Sequence, residues 1–347
     1  MSVVLIVGAG ASKELGIPCG QDFLWELVPR LSTSLNYNEH GKLAKDKGKY
    51  KSDMVNQFLK FYKFDLNPSF LETTSQEEAI FVHSINSFSE DLEAFTRQNN
   101  GSTIDAFLAC HYKKNYTEIG KFVLAYHMIG YEAQSQREKW FCEENWLRKF
   151  INGPFLREVK SSEREMDIKI ITFNYDRLIE HHIFEFLKNK IDYSDEQAKE
   201  IIEKLEIIHV YGKIACLEWQ DQQDPGVGSI KFGQRNDDRG VLNITQRNIQ
   251  LIGWRIEKDI EIQIRNCINA GTKFYLLGFG FDPDNMRILG LAKAAKIIST
   301  AYGLDQSKRN QINNKYDLNI DFRNDIKNER GMKCSELISD NELFSLD

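Results

Sequence analysis

The first residues that could do chemistry are two glycines after a short apolar run. Gly8 and Gly10 follow residues 3–7 (VVLIV), a run typical of a strand buried on both faces of a parallel sheet. Glycines at this point let the backbone approach a pyrophosphate closely, and Ser12 can donate a further hydrogen bond. The segment predicts a phosphate-binding loop, although a glycine pair also occurs in ordinary tight turns.

The segment departs from the dinucleotide-binding pattern of dehydrogenases. That pattern needs a third glycine where Lys13 stands, and a continuing helix where Pro18 breaks one. No second strand ending in Asp or Glu follows about 20 residues later to hold a ribose. The sequence therefore favours a nucleotide loop of another kind.

Three more polar segments follow short apolar runs, at residues 172–176 (TFNYD), 209–212 (HVYG) and 278–281 (GFGF). In a doubly wound sheet the ligand crevice lies outside the carboxyl ends of the strands. We therefore expect all three segments to lie near the glycine pair.

Two side chains in these segments are candidates for catalysis. The amide of Asn174 both donates and accepts, so it could hold a ribose or an attacking water, or alternatively cap the next helix. His209 is the best candidate for a general base, because imidazole exchanges a proton near neutral pH. Asp176 could contact a ligand or act as the N-cap of a helix over residues 177–187.

Alternating strand and helix patterns predict an α/β fold, a Rossmann-like doubly wound parallel sheet. Apolar runs of strand length occupy residues 3–7, 168–173, 207–210, 274–277 and 297–299. Helical patterns cover residues 178–187, and a long one carries isoleucines at 249, 252, 256, 260 and 264. Asp282 and Pro283 predict the start of a further helix over residues 284–292.

The distribution of these patterns predicts the domain organisation. Residues 1–34 and 161–310 are expected to form the Rossmann-like domain, and residues 35–160 a large helical insertion that this domain carries. Residues 221–240 are typical of a long mobile loop. Residues 311–347 are charged and only weakly periodic, which indicates a C-terminal tail.

In order and placement the segments resemble the SIR2-like (sirtuin) superfamily. GAGAS at 8–12 followed by GIP at 16–18 is similar to its opening motif. Residues 172–176 resemble its T-Q-N-x-D motif, 209–212 its H-G strand end, and 278–281 its G-T-S loop. Aligning Tyr211 with the catalytic histidine of sirtuins puts His209 two residues earlier on the same strand face. Defence-type relatives use H-x-Y-G or H-x-H-G, which favours His209 and leaves Tyr211 as its neighbour.

The closer resemblance is to the SIR2-like proteins of bacterial anti-phage defence. Sirtuin deacylases usually carry a zinc ribbon of two cysteine pairs, whereas the six cysteines here are scattered and never form C-x-x-C. Cys19 and Gly20 also replace the start of the deacylase D-F-R motif. Residues 102–108 (STIDAFL), 277–283 (LGFGFDP) and 299–304 (STAYGL) look like the defence type.

The resemblance implies an NAD+ glycohydrolase, with NAD+ as substrate and no zinc or other metal. Asn174 and His209 are the expected catalytic residues. The expected NAD+ contacts are Gly8, Ala9, Gly10, Ser12, Gly16, Ile17, Pro18, Asp176, Tyr211, Gly278, Phe279, Gly280, Asn285, Thr300 and Ala301. A solvent-facing helix position is the alternative for Asn285. Alternative functions are a non-catalytic NAD or ADP-ribose sensor, an ADP-ribosyltransferase or a deacylase.

Regulation and location follow as further expectations. Unregulated NAD+ hydrolysis would poison the host, so we expect activation by a separate subunit, such as an ATPase, an Argonaute-like protein or a nucleotide-processing enzyme, in a homo- or hetero-oligomer. The net charge of −6 argues against direct nucleic-acid binding. No run reaches the roughly 18 apolar residues of a membrane span, so a cytoplasmic protein is expected.

Overall fold

The computed structural model describes residues 2–32, 75–99, 103–111, 116–138, 145–161, 166–220, 228–235, 239–252, 255–325 and 330–339. Parallel strands form its central sheet: β1 (Val3–Val7), β2 (Ile168–Thr172), β3 (Ile207–His209), β4 (Lys273–Leu277), β5 (Lys296–Ser299) and β6 (Ile320–Phe322). The sheet has six strands in the order β3-β2-β1-β4-β5-β6. Each of the five predicted strands is confirmed to within one residue at either end.

The strand order creates a switch point beside β1. After β1 the chain adds β2 and β3 on one side, and then crosses to add β4, β5 and β6 on the other. All five residues of β1 are buried, as expected for a strand that pairs on both edges and is covered on both faces. Ligands of open α/β sheets bind outside the carboxyl ends of the strands at such a point.

Helices account for most of the remaining described chain. Those between β1 and β2 are α1 (Ala9–Glu14), α2 (Gly20–Ser32), α3 (Ser75–Gln98), α4 (Ile104–Cys110), α5 (Thr117–Glu138), α6 (Trp146–Phe150) and α7 (Leu156–Ser161). Those after β2 are α8 (Leu178–Lys190), α9 (Asp195–Lys204), α10 (Arg239–Asn248), α11 (Lys258–Ala270), α12 (Pro283–Leu289), α13 (Gln306–Tyr316) and α14 (Cys334–Ile338). None of these described helices is long and apolar enough to cross a membrane.

The helices between β1 and β2 share one hydrophobic core with the sheet. Phe88, Phe107 and Phe122 belong to the same cluster of buried residues as the strands. A buried ion pair fixes α5 to the start of α8, with Nη2 of Arg177 2.6 Å from Oε2 of Glu132. The described part of the predicted insertion therefore packs directly on the sheet, while residues 33–74 lie outside the described chain.

Two sequence predictions are wrong in their boundaries. The long helix through residues 249–264 is interrupted, because α10 ends at Asn248 and α11 begins at Lys258. Between them, tertiary contacts take up the backbone: the N–H of Gln250 donates to the Tyr211 carbonyl, and that of Ile252 donates to Asp105. The helix predicted over residues 284–292 ends at Leu289, because Gly290 adopts the left-handed conformation that terminates helices.

The predicted C-terminal tail also contains part of the fold. Residue 311 lies inside α13, and the next element, β6, extends the sheet beside β5. Strands β7 (Asn324–Asp325) and β8 (Arg330–Gly331) then pair antiparallel and lead into α14. In the predicted loop, residues 221–227 and 236–238 lie outside the described chain, and Ser229 forms a bridge with Cys216.

Candidate functional site

The glycine pair after β1 packs against the loop after β4. The N–H of Gly8 donates to the Leu277 carbonyl, and that of Gly10 donates to the Gly278 carbonyl, both at 2.9 Å. A Cβ on Gly8 would lie 2.7 Å from the Gly278 oxygen, and one on Gly10 would lie 2.8 Å from it. These glycines are therefore required by loop-on-loop contact at the switch point, independently of any ligand.

A chain of hydrogen bonds joins the ends of β1 and β2. Nδ2 of Asn174 donates to Oγ of Ser12 at 2.7 Å, and this hydroxyl donates to Oδ2 of Asp176 at 2.7 Å. Nδ2 of Asn174 also donates to the Gly8 carbonyl at 3.1 Å. The predicted meeting of these strand-end segments at one place is thus seen in the described structure.

The network fixes the orientation of the Asn174 amide. A carbonyl oxygen can only accept, so the atom of Asn174 that faces Gly8 must be the NH2 nitrogen. The side-chain oxygen Oδ1 then points elsewhere, and it is buried with no hydrogen-bond donor among the described residues. A buried acceptor without a donor costs free energy, and an absent ligand or water is a common explanation.

Asn174 lines a cavity of about 120 Å³ at the carboxyl ends of β1 and β2. Polar side chains in its wall include Ser12, Asp176 and Asp105, and the expected contacts Ala9, Ile17 and Pro18 also line it. The remaining wall is mainly apolar, formed by Phe23, Ile104, Leu124, Met128, Phe173 and Ile252. Among the described residues that line this cavity, none is a lysine, arginine or histidine.

The course of α1 brings Ile17 and Pro18 to this wall. The helix is only six residues long, and Gly16, with φ of +94°, turns the chain after it. The N–H of Ile17 donates back to the Ser12 carbonyl at 3.0 Å. The predicted break of the helix before Pro18 is therefore confirmed.

Two buried carboxyl groups face the cavity. Burial raises the pKa of Asp176 to about 6, although the hydrogen bond from Ser12 acts in the opposite direction. Burial likewise raises the pKa of Asp105 to about 6, against the hydrogen bond from the N–H of Ile252. Oδ1 of Asp176 also accepts from the N–H of Leu178, the first residue of α8, at 3.3 Å, although the N-cap position of this helix is Arg177.

His209 is placed beside the network and outside the cavity wall. Nδ1 lies 3.0 Å from the carbonyl oxygen of Asn174, and Nε2 lies 2.8 Å from Oε1 of Glu180. Burial opposes ionisation of Glu180, but the charge and hydrogen bond of His209 lower its pKa to about 2. Both ring nitrogens therefore lie against protein oxygen atoms rather than facing the cavity.

Other expected contacts lie along the same strand edge rather than in the cavity. The Tyr211 hydroxyl donates to Oδ1 of Asn285 at 2.6 Å, and burial raises the pKa of Tyr211. Asn285 is buried, so the alternative of a solvent-facing position is wrong. Phe279 packs edge-on against Phe173, while Gly280 is exposed and a Cβ there would meet no described atom within 4 Å.

The loop after β5 is covered by the C-terminal part of the chain. The hydroxyl of Thr300 accepts from the N–H of Gly278 at 3.0 Å, which ties this loop to the one after β4. Ala301 has no exposed surface, and its N–H donates to the Met332 carbonyl at 3.2 Å. The contact of Ala301 with a nucleotide stays a prediction, and in the structure this residue packs against the segment after β8.

Sequence reasoning missed three residues of this site. Asp105 lies in the segment at 102–108, which resembles the defence-type proteins but gave no role for this residue. Glu180 and Glu132 lie inside helical patterns in which nothing marks them as functional. Their importance depends on partners more than 25 residues away in the chain, His209 and Arg177 among them. No group of three or more His, Cys, Asp or Glu side chains in the described part of the chain could hold a metal ion.

Fold and site together define a Rossmann-like α/β protein with a small cavity at the switch point of its sheet, in which a few polar acceptors interrupt a mainly apolar wall. Comparison of the chain with protein-family models and with curated proteins finds no match.

Proposed function

We propose that this protein is an NAD+ glycohydrolase of the SIR2-like type, which cleaves NAD+ to nicotinamide and ADP-ribose. The observation that carries the proposal is the buried Oδ1 of Asn174, an acceptor in the cavity wall beside the glycine loop that has no donor among the described residues. The order of the four strand-end segments, which resembles that superfamily, supports the same assignment.

The size and chemistry of the cavity suit the nicotinamide end of NAD+. A cavity of about 150 Å³ holds one benzene ring, so about 120 Å³ is of the right order for a single six-membered ring. The side chains of Asn174, Asp176 and Asp105 offer acceptors, which match a positively charged ring, carboxamide N–H groups and ribose hydroxyls. The rest of the dinucleotide would extend along the strand edge past Gly278 and Gly280.

In the proposed reaction a water oxygen bonds to C1′ of the ribose as the bond from C1′ to the ring nitrogen breaks. The electron pair of that bond returns to the ring, which leaves as neutral nicotinamide, and the water releases one proton. Asn174 Oδ1 orients the water or the ribose by accepting a hydrogen bond, and the Asp176 carboxylate stabilises the positive charge that develops on the ribose. Asp176, joined to Asn174 through Ser12, accepts the released proton.

His209 then acts as a positioning residue. Its Nδ1 holds the Asn174 backbone from behind the cavity, and Glu180 fixes the ring. This role replaces the general-base role expected from the sequence.

The test is incubation of the purified chain with NAD+, alone and with the proteins encoded beside it, followed by chromatography. Nicotinamide and ADP-ribose in equal amounts support hydrolysis, whereas a cyclic product indicates attack by a group of NAD+ itself. Activity that depends on an added protein would support a role as a partner-activated anti-phage effector. High activity of the isolated chain would contradict the proposed need for an activator.

A nucleotide sensor without catalysis is the second candidate, because His209, the residue expected from the sequence to act as general base, lies outside the cavity wall with both ring nitrogens against protein oxygens. This alternative predicts binding of NAD+ or ADP-ribose with no nicotinamide release under any condition. Calorimetry on the same samples separates the two, since binding without turnover supports only the sensor.

A further inference from the structure

We propose that Asp105 determines the specificity of the cavity, so that it accepts a ring bearing a neutral carboxamide and rejects the same ring bearing a carboxylate. The proposal rests on the proposed NAD+ hydrolysis and names the substrate class of that site. Asp105 comes from α4, between β1 and β2, whereas the other polar residues named in the wall come from strand-end segments.

The position of Asp105 is fixed by its surroundings. Thr103 caps α4 by accepting from the N–H of Ala106 at 3.2 Å, which sets the first turn of the helix. Oδ1 of Asp105 accepts from the N–H of Ile252 at 3.0 Å, and both residues line the cavity. Only 7% of Asp105 is exposed, so its charge acts where water screens it little.

The charges in the wall argue for a donor ligand. Asp105 and Asp176 are both acidic, and no basic side chain lies among the described lining residues. Independently, the buried Oδ1 of Asn174 has no donor in the part of the chain that the structure describes. A ligand with N–H groups satisfies these acceptors, whereas a carboxylate would add a like charge to a poorly screened site.

Two dinucleotides test this preference directly, because NAD+ and nicotinic acid adenine dinucleotide differ only in the group on the ring. This group is a carboxamide in NAD+ and a carboxylate in the acid dinucleotide. Asp105→Asn removes the charge and keeps an acceptor for the N–H of Ile252. We expect wild-type kcat/KM to be about 100-fold higher for NAD+ than for the acid dinucleotide, and Asp105→Asn to narrow that ratio at least about tenfold. Asp259→Asn, at an exposed position on α11, is the matched control and should leave the ratio unchanged.

A binding measurement decides the proposal without turnover. Nicotinamide and nicotinic acid are titrated separately into the full wild-type chain and into both variants, with binding followed by ligand-observed NMR. Preference of the wild type for nicotinamide, reduced in Asp105→Asn, supports the proposal. Equal binding of the two rings by the wild type, or a preference that Asp105→Asn leaves intact, overturns it. Selective ring binding without nicotinamide release would instead overturn only the proposed hydrolysis.

Discussion

Ser12 and Asn174 lie 162 positions apart in the chain, yet the Asn174 amide donates to the Ser12 hydroxyl at 2.7 Å. Ser12 lies in the helix after β1 and Asn174 follows β2, so the bond joins the carboxyl ends of two neighbouring strands. The Ser12 hydroxyl donates its own hydrogen bond to Asp176, so it can only accept from Asn174. The Asn174 atom next to Ser12 must therefore be the amide nitrogen, and Oδ1 is left to face a ligand.

Removal of the Ser12 hydroxyl tests the role of the hydrogen bonds that join Asn174, Ser12 and Asp176. In Ser12→Ala, Nδ2 of Asn174 and Oδ2 of Asp176 each lose a partner in a buried setting, which costs about 1–3 kcal/mol of folding stability. The amide then keeps only its longer hydrogen bond to the Gly8 carbonyl and is held less firmly, so we expect nicotinamide release to fall about 100-fold. Product assays and urea unfolding measure the two effects. Ser307→Ala, on an exposed part of α13, should change neither stability nor nicotinamide release. A Ser12→Ala variant with wild-type activity would contradict the role of these hydrogen bonds.

Substitutions of His209 separate positioning from proton transfer. His209→Asn can still donate to the Asn174 carbonyl, whereas His209→Ala cannot, and both lack an imidazole. A positioning role predicts that the asparagine variant keeps activity within about tenfold of wild type and that the alanine variant loses about 100-fold. The measurement is kcat and KM for nicotinamide release. Equal loss in the two variants would restore the general-base interpretation.

His209→Ala should also destabilise the fold. It leaves the Glu180 carboxylate buried without its hydrogen-bond donor, and removal of one partner of a buried pair typically costs about 3–5 kcal/mol. Addition of Glu180→Gln to His209→Ala removes the isolated charge, so the double variant is expected to be more stable than the single one. Thermal unfolding followed by circular dichroism measures both, and a double variant with additive losses would argue against the pair.

The cavity carboxyls predict how stability changes with pH. Asp105 has a pKa of about 6 in the fold and an ordinary value of 3.8 when unfolded. Below pH 3.8 the Asp105 carboxyl is protonated in both the folded and the unfolded chain, so it does not change the folding stability. As the pH rises to 6, the unfolded chain releases this proton while the folded chain retains it. Stability therefore falls by up to about 3 kcal/mol over this range.

Comparison with Asp105→Asn isolates this contribution. The variant should match wild type near pH 4 and exceed its stability above pH 6 in urea unfolding. Stability differences that stay constant from pH 4 to 8 would contradict the raised pKa.

Alanine substitutions at Gly8 and Gly280 test, without any ligand, the contact between the loops after β1 and β4. Gly8→Ala would place its Cβ 2.7 Å from the Gly278 oxygen and force the two loops apart, a strain worth about 1–3 kcal/mol or more. Gly280→Ala is the matched control, since a Cβ there meets no atom of the described chain within 4 Å. Thermal unfolding without ligand should therefore show a lower Tm for Gly8→Ala alone, and similar Tm values for the two variants would contradict the described contact.

The strands and the meeting of Ser12 with Asn174 could be predicted, because continuous apolar runs mark buried parallel strands and parallel strands share a carboxyl edge. The break between α10 and α11 could not, since it depends on backbone bonds to Tyr211 and Asp105, remote in sequence. Strand β6 is only three residues long and leaves too short a pattern to identify. The pairing of His209 with Glu180 was missed because a single sequence gives no sign of which carboxylate a histidine meets.

The central claim is tested most directly by nicotinamide release from NAD+ by wild type, Asn174→Ala and Asn189→Ala, each with its activating partner present. Asn189 lies at an exposed position on α8 and controls for loss of an asparagine side chain. We predict release by wild type and Asn189→Ala, and a loss of roughly 100-fold or more in Asn174→Ala with circular dichroism unchanged. Release by Asn174→Ala at the wild-type rate, or by none of the three chains, would contradict it.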